Sequence, residues 1–177
     1  MKLPSKIIKK DDDWIFTGLK NKDERLDKYL KKNSVKDPED LTENDLPATD
    51  NDKVRKLDEE ALDTGYLSGR WNVPVVRSEI DDLWKKIEDL VSDYMIWCAQ
   101  VSKNSSRVKS KEKIYSLMIY TPNYFDKDDV FRVRDILREE CGIHKEIFYK
   151  PDIYTMLHIN KYQAKSMGLP MENRYRS

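Results

Sequence analysis

Two cations stand where this sequence can best hold an anion. Arg70 opens the strand-like run 70–76, and Lys150 closes the run 146–150. A guanidinium offers a planar fork of donors that matches a phosphate, and an ammonium supplies a compact charge. Strand ends are a usual place for ligand groups. Tyr149 and Ser102 fall near them, and Arg134 or Lys103 can add a further cation. Arg70, Lys150 and one of those two are therefore expected to converge on one phosphate-sized ion. The competing arrangement is structural, with Asp152 neutralising the pair as a salt-bridge network.

Other chemistry is thinner. His144 and His158 are the side chains whose ordinary pKa lies near neutrality. A lyase acting on a phosphorylated residue needs a base, an acid and a cationic clamp, for which Lys150 and His158 can be proposed. No spacing demands it, so no residue is assigned a catalytic role. Cys98 and Cys141 have no patterned histidine beside them and are expected to be buried fillers. The loop 103–112, Lys-Asn-Ser-Ser-Arg-Val-Lys-Ser-Lys-Glu, is basic and can steer a nucleotide or RNA; it serves equally as a plain hairpin connection. Lys127, Phe131, Arg134 and Arg138 form one helical stripe, either a cleft edge or a solvated face. Trp71, Trp84 and Trp97 sit in core patterns. Trp14, beside Asp11–Asp13, is the tryptophan expected to be exposed.

Composition closes several classes. The chain has 177 residues, 38% hydrophobic and 37% charged, with 33 Lys+Arg against 33 Asp+Glu. A zero net charge excludes a supercharged nucleic-acid coat. No apolar run approaches the ~20 residues of a membrane span. The opening Met-Lys-Leu-Pro-Ser-Lys has no apolar stretch after it, so no secretory leader is expected. Two cysteines make no disulfide framework, which favours a reduced, cytoplasmic setting. No metal and no cofactor are expected: CxxC, HExxH, GxGxxG and GxxxxGK[ST] are all absent.

The elements that must position these residues follow from periodicity. Trp14–Thr17 reads as a short strand and 19–32 as a helix with a thin apolar face. From 36 to 63 eleven acids face four bases, and 34–52 is expected to bury almost nothing and to be poorly ordered. This stretch can be a solvated insert or an acidic flap over a basic site. Val54, Leu57, Ala61 and Leu62 predict a helix over 53–63, stopped by Gly65. Residues 70–76 alternate as a strand, with Pro74 favouring an edge or a bulge. Ser78 is expected to cap a helix running to 93, its face built from Ile80, Leu83, Trp84, Ile87, Leu90 and Val91. Strands follow at 95–102 and 113–121, then a helix over 126–140 capped at Gly142, then a strand at 146–150. Residues 153–159 fit strand or helix. The fold class is α+β: a curved, mostly antiparallel sheet of four to six strands backed by two or three helices on one face. Residues 1–65 would supply an N-terminal strand, helix and acidic insert packing on a main domain of 66–177, a single domain overall.

Several stretches carry a resemblance. They are Ser68-Gly69-Arg70-Trp71, the helix with Trp84, Ala99-Gln100-Val101-Ser102, Ile119-Tyr120-Thr121, Asp129–Arg138 and Ile147–Asp152. In this order and spacing, over roughly 66–155, they resemble the Bles (basophilic-leukaemia-expressed) family. The resemblance implies a fold like that of the cap-binding translation initiation factor 4E. Some bacterial relatives carry a phosphothreonine lyase label. Where the family pattern has Lys, this chain has Arg70 and Gln100; the second change removes a charge and counts against catalysis there. Cap binding itself is not expected, since two exposed aromatics at one cleft are not in view. The favoured function is a binding module for a phosphorylated or nucleotide/RNA-like ligand. The alternatives are an enzyme on a phosphorylated group, phosphothreonine-lyase-like, and a protein-interaction scaffold using the acidic segment.

Overall fold

A computed structural model describes residues 3–6, 14–18, 22–102 and 114–177. Strands β1 (Trp14–Thr17), β2 (Gly69–Val76), β3 (Cys98–Ser102), β4 (Ile114–Thr121), β5 (Phe148–Pro151) and β6 (Tyr175–Arg176) form one sheet in the order β1-β3-β4-β2-β5-β6. Every neighbouring pair is antiparallel. The helices are α1 (Lys22–Asn33), α2 (Asp52–Thr64), α3 (Arg77–Ser92), α4 (Lys127–Glu139), α5 (Asp152–Met156) and α6 (Lys161–Met167). The α+β expectation holds. Pro74 lies on β2, which is central; it faces Ser116 across the ladder to β4, past the end of the shorter β5.

Alternation decides which side chains form the core. Trp71, Val73 and Val75 of β2, Tyr115, Leu117 and Ile119 of β4, Ala99 and Val101 of β3, and Tyr149 of β5 all point to one face and are buried. Helices α2, α3 and α4 cover that face with Leu57, Ala61, Ile80, Trp84, Ile87, Val130, Val133 and Leu137. Trp71 is the pin between layers. Its indole N–H donates to the Val130 carbonyl at 2.9 Å, and its ring meets Phe131 and Tyr149 edge-on at 5.9 and 5.3 Å. A smaller cluster of Tyr29, Leu30, Val35, Trp97 and Cys98 seats α1 at the start of β3.

Some boundaries move. The expected strand start at Met95 is taken by the end of α3, whose Leu90 carbonyl accepts from the N–H groups of Met95 and Ile96. Tyr94, at φ 56°, makes that turn. Ser78 is not the cap: β2 runs directly into α3, the cap position is Val76, and no side chain bonds there. Asp81, near the start of α3, accepts the N–H of Ser5 at 2.9 Å. Residues 34–52 bury little, as expected, yet carry local structure. Two 3-10 turns, Pro38–Asp40 and Glu43–Asp45, are held by Asp37 and by a reciprocal Thr42/Asp45 cap.

Two substitutions test this packing. Trp84 is fully buried, so Trp84→Ala is expected to lower unfolding stability by about 3–5 kcal/mol in urea titration. At Gly69 an added Cβ would sit 2.7 Å from the Tyr149 ring carbons, inside contact distance. Gly69→Ala is therefore expected to be destabilising, and Gly69→Ala with Tyr149→Ala to recover part of the loss relative to the sum of the single changes.

Candidate functional site

The second face of the sheet is not covered by α2, α3 or α4. Its side chains form rows, one residue per strand. One row runs Phe16, Gln100, Met118, Asn72, Phe148 and Arg176; the next runs Cys98, Tyr120, Arg70 and Lys150. Phe16 is 48% exposed. A cavity of about 140 Å³ opens on these rows, lined by Phe16, Trp97, Gln100 and Tyr120, with Ser68 and Asp152 among its polar groups.

Register brings the two sequence-selected cations together: Arg70 and Lys150 are direct cross-strand partners. Both already have protein partners. Arg70 donates to Asp152 at 2.5 Å and to the Thr155 hydroxyl at 3.1 Å. Asp152 also accepts from the Ser68 hydroxyl at 2.5 Å. The Arg70 side chain is 13% exposed, its guanidinium lies 5.9 Å from the Tyr120 ring centroid, and its Nε is buried with no partner among the described residues. Lys150 donates to the Ile159 carbonyl at 2.6 Å. Burial pulls its ammonium below the ordinary range against the opposing pull of Glu172.

The other selected residues lie elsewhere. Tyr149 points to the helix side, where its hydroxyl meets that of Thr121 at 2.6 Å; burial pushes its phenol up. Adjacent strand residues face opposite ways, so Tyr149 cannot share a face with Lys150. Arg134, on α4, stacks over Phe131 at 4.8 Å and bonds Asp135 and Ser177, on the far side of the sheet from Arg70. Ser102 is on the open face, but its hydroxyl accepts the Ser116 N–H at 2.9 Å. That is four residues, about 13 Å, along β4 from Tyr120. Lys103 and the whole basic loop 103–112 lie outside the described residues. His144 is exposed and lines a separate groove beside α3. His158 is exposed in the turn after α5, at φ 55°. Cys141 lines that same α3 groove, and burial pushes its thiol up to about 11, away from the thiolate a nucleophile needs.

Sequence reading missed the polar groups that fix the frame of this face. Asp58, fully buried, accepts from Tyr124 at 2.8 Å and pairs with Arg174 at 2.8 Å. Asp129, 3% exposed, accepts from the Tyr29 hydroxyl at 2.9 Å and from Arg132 at 2.8 Å. Burial pushes both carboxyls up, opposed in each case by the arginine. A signal existed: Asp58 lies on the Val54-Leu57-Ala61 stripe and Asp129 directly precedes Val130. A carboxylate on an apolar helical stripe is expected to have a buried partner.

Comparisons with known proteins give a family and a likeness. The family model for the basophilic leukemia-expressed protein Bles03 matches residues 7–158 of this chain. Among solved structures, the chain is similar to schistosome eIF4E complexed with m7GpppG and 4E-BP. The identity is 14% and the TM-score 0.43, over 85% of this chain and 80% of that one. It is also similar to schistosome eIF4E complexed with m7GpppA and 4E-BP, at 14% identity and a TM-score of 0.40 over the same shares. No helix among the described residues is long and apolar enough to cross a membrane.

Arg174→Met tests the buried pair. Removing the partner strands a buried carboxylate and is expected to cost about 3–5 kcal/mol at pH 7.5. Asp58 is raised by burial even with Arg174 present, and losing that cation raises it further. Its folded form then takes up a proton more readily than the unfolded one, so stability falls as pH rises from the unfolded value of 3.8 through the folded one. The deficit against wild type is expected to be smaller at pH 4.5 than at pH 7.5 in parallel urea titrations.

Proposed function

We propose that this chain, which belongs to the Bles03 family, is a binding module for a phosphorylated, nucleotide-like ligand on the uncovered sheet face. The observation that carries the reading is the row arrangement itself. An exposed aromatic, Phe16, and the Tyr120 ring flank an amide, Gln100, and the adjacent row carries Arg70 opposite Lys150. A planar base can lie against the aromatics, since every base has a π-face. Gln100 offers both a donor and an acceptor to its edge, and Asp152 an acceptor. The phosphate lies toward Arg70 and Lys150, which with Asp152 leave one net positive charge.

Ligand binding then competes with internal bonds. Lys150 must leave the Ile159 carbonyl, or share its donors, to reach a phosphate. Lys carries three donors, so sharing is available. Arg70 keeps Asp152 and acts as a positioned charge rather than a free one. The reading includes a reducing, cytoplasmic setting, with which the free thiols of Cys98 and Cys141 are compatible.

Thermal shift at low ionic strength tests the reading, with a nucleoside diphosphate and with inorganic phosphate as probes. A nucleotide at about ten times its Kd adds about 1.4 kcal/mol, or about 3–6 °C in melting temperature for a chain of this size. Phe16→Ala is expected to reduce the nucleotide shift and leave the melting temperature of the free protein unchanged. Arg70→Ala/Lys150→Ala is expected to abolish the shift by either probe. If neither probe moves the wild-type melting temperature, the ligand reading is abandoned for an interaction scaffold built on the acidic segment.

A further inference from the structure

Val35 and Val54 are buried, and no residue between them is. The chain from 36 to 53 is thus a strap anchored at both ends. Leu41 and Leu46 pack on the core only in part. The ionic contact Lys36–Asp45, 2.8 Å, is internal to the strap. Between its second half and the C-terminal turn at 170–175 it leaves a groove of about 490 Å³, within the range that takes a small molecule.

The walls set the chemistry. Leu46, Pro47, Phe125, Tyr154 and Met171 are apolar or aromatic. Three charged side chains also line the groove, and two are already paired. Asp45 holds Lys36 and the Thr42 N–H, and Arg174 holds the buried Asp58. The third, Lys127, makes no ion pair with any described residue. Its ammonium stands over the Phe131 and Tyr175 rings at 5.7 and 5.8 Å. The flanking Asp126 is turned to the Asp129 N–H as the cap of α4. Thr49, Asn51 and Asn173 add neutral polar groups beside these apolar walls. A groove of this mixed lining with one uncompensated cation selects against cations and against polyanions that need several.

We infer that this groove is a binding site for a small amphipathic monoanion, with an apolar body against Phe125, Tyr154 and Met171 and a carboxylate or sulfonate at Lys127. The site is separate from the open sheet face. Lys127 lies on α4 and reaches over Phe131, the ring that packs on Trp71 on the helix side, opposite Arg70.

The probe is 8-anilinonaphthalene-1-sulfonate, an apolar body with one sulfonate, titrated into the full chain by fluorescence. Saturable one-to-one binding is expected. Lys127→Ala, at an exposed position, is expected to weaken it about tenfold, the size of one charge-assisted contact. Met171→Trp is expected to fill the groove and abolish it. Arg70→Ala/Lys150→Ala is expected to leave the dye affinity unchanged, so a failure at the sheet face and a failure here read separately. Binding that does not saturate, or wild-type affinity in either Lys127→Ala or Met171→Trp, overturns the inference.

Discussion

A carboxylate with no access to water, Asp58, constrains much of this molecule. An unpaired charge there would be prohibitive, so folding must deliver partners to it from distant parts of the chain. Arg174 arrives from 116 residues away and Tyr124 from 66. To bring Arg174 in, the segment after α6 turns back on the sheet. The Arg174 N–H then donates to the Tyr149 carbonyl, and Ile147 and Ser177 exchange backbone bonds. The short strand β6 is the outcome. The same pair locks α2 to the sheet's last strand, and with it the root of the acidic strap.

A second polar knot repeats the chemistry at the other end. Tyr29, Asp129 and Arg132 join α1 to α4, and Arg132 also donates to the Met95 carbonyl at 3.0 Å. Such knots add little net stability over a packed apolar core, but they penalise any arrangement that leaves one member unpaired. They fix where the N-terminal helices sit. With α2 and α4 committed to one side of the sheet, neither covers the opposite side, which carries Phe16, Gln100, Tyr120 and Arg70.

At the Arg70–Asp152–Ser68 cluster the proposed site coincides with a structural joint. Asp152 begins α5, its N–H donates to the Ser68 carbonyl, and its carboxylate holds both Ser68 and Arg70. Arg70 is thereby oriented and largely shielded. Lys150 beside it keeps donors that a backbone carbonyl does not exhaust. Any anion at this place meets a preset guanidinium and an adaptable ammonium.

Local periodicity determined much by itself. The stripe of Ile80, Leu83, Trp84, Ile87 and Val91 requires an amphipathic helix whatever its neighbours, and α3 forms there. Alternation in 70–76 and 114–121 commits Trp71, Val73, Leu117 and Ile119 to one buried face. The same rule applied to 146–150 would have separated Tyr149 from Lys150, which residue types alone had grouped at one site, because neighbouring strand residues cannot share a face. Residue types singled out Arg70 and Lys150, though only the antiparallel register of β2 with β5 set them side by side. The rest was decided by tertiary structure. Whether Asp58 and Asp129 are solvated or buried depends on arginines that no local pattern links to them. The start of β3 depends on how α3 ends around Leu90. The destination of residues 170–177 depends on one buried charge needing a partner. These are long-range pairings, whose energy appears only when both members are already in place, so neither stretch of sequence carries the signal alone.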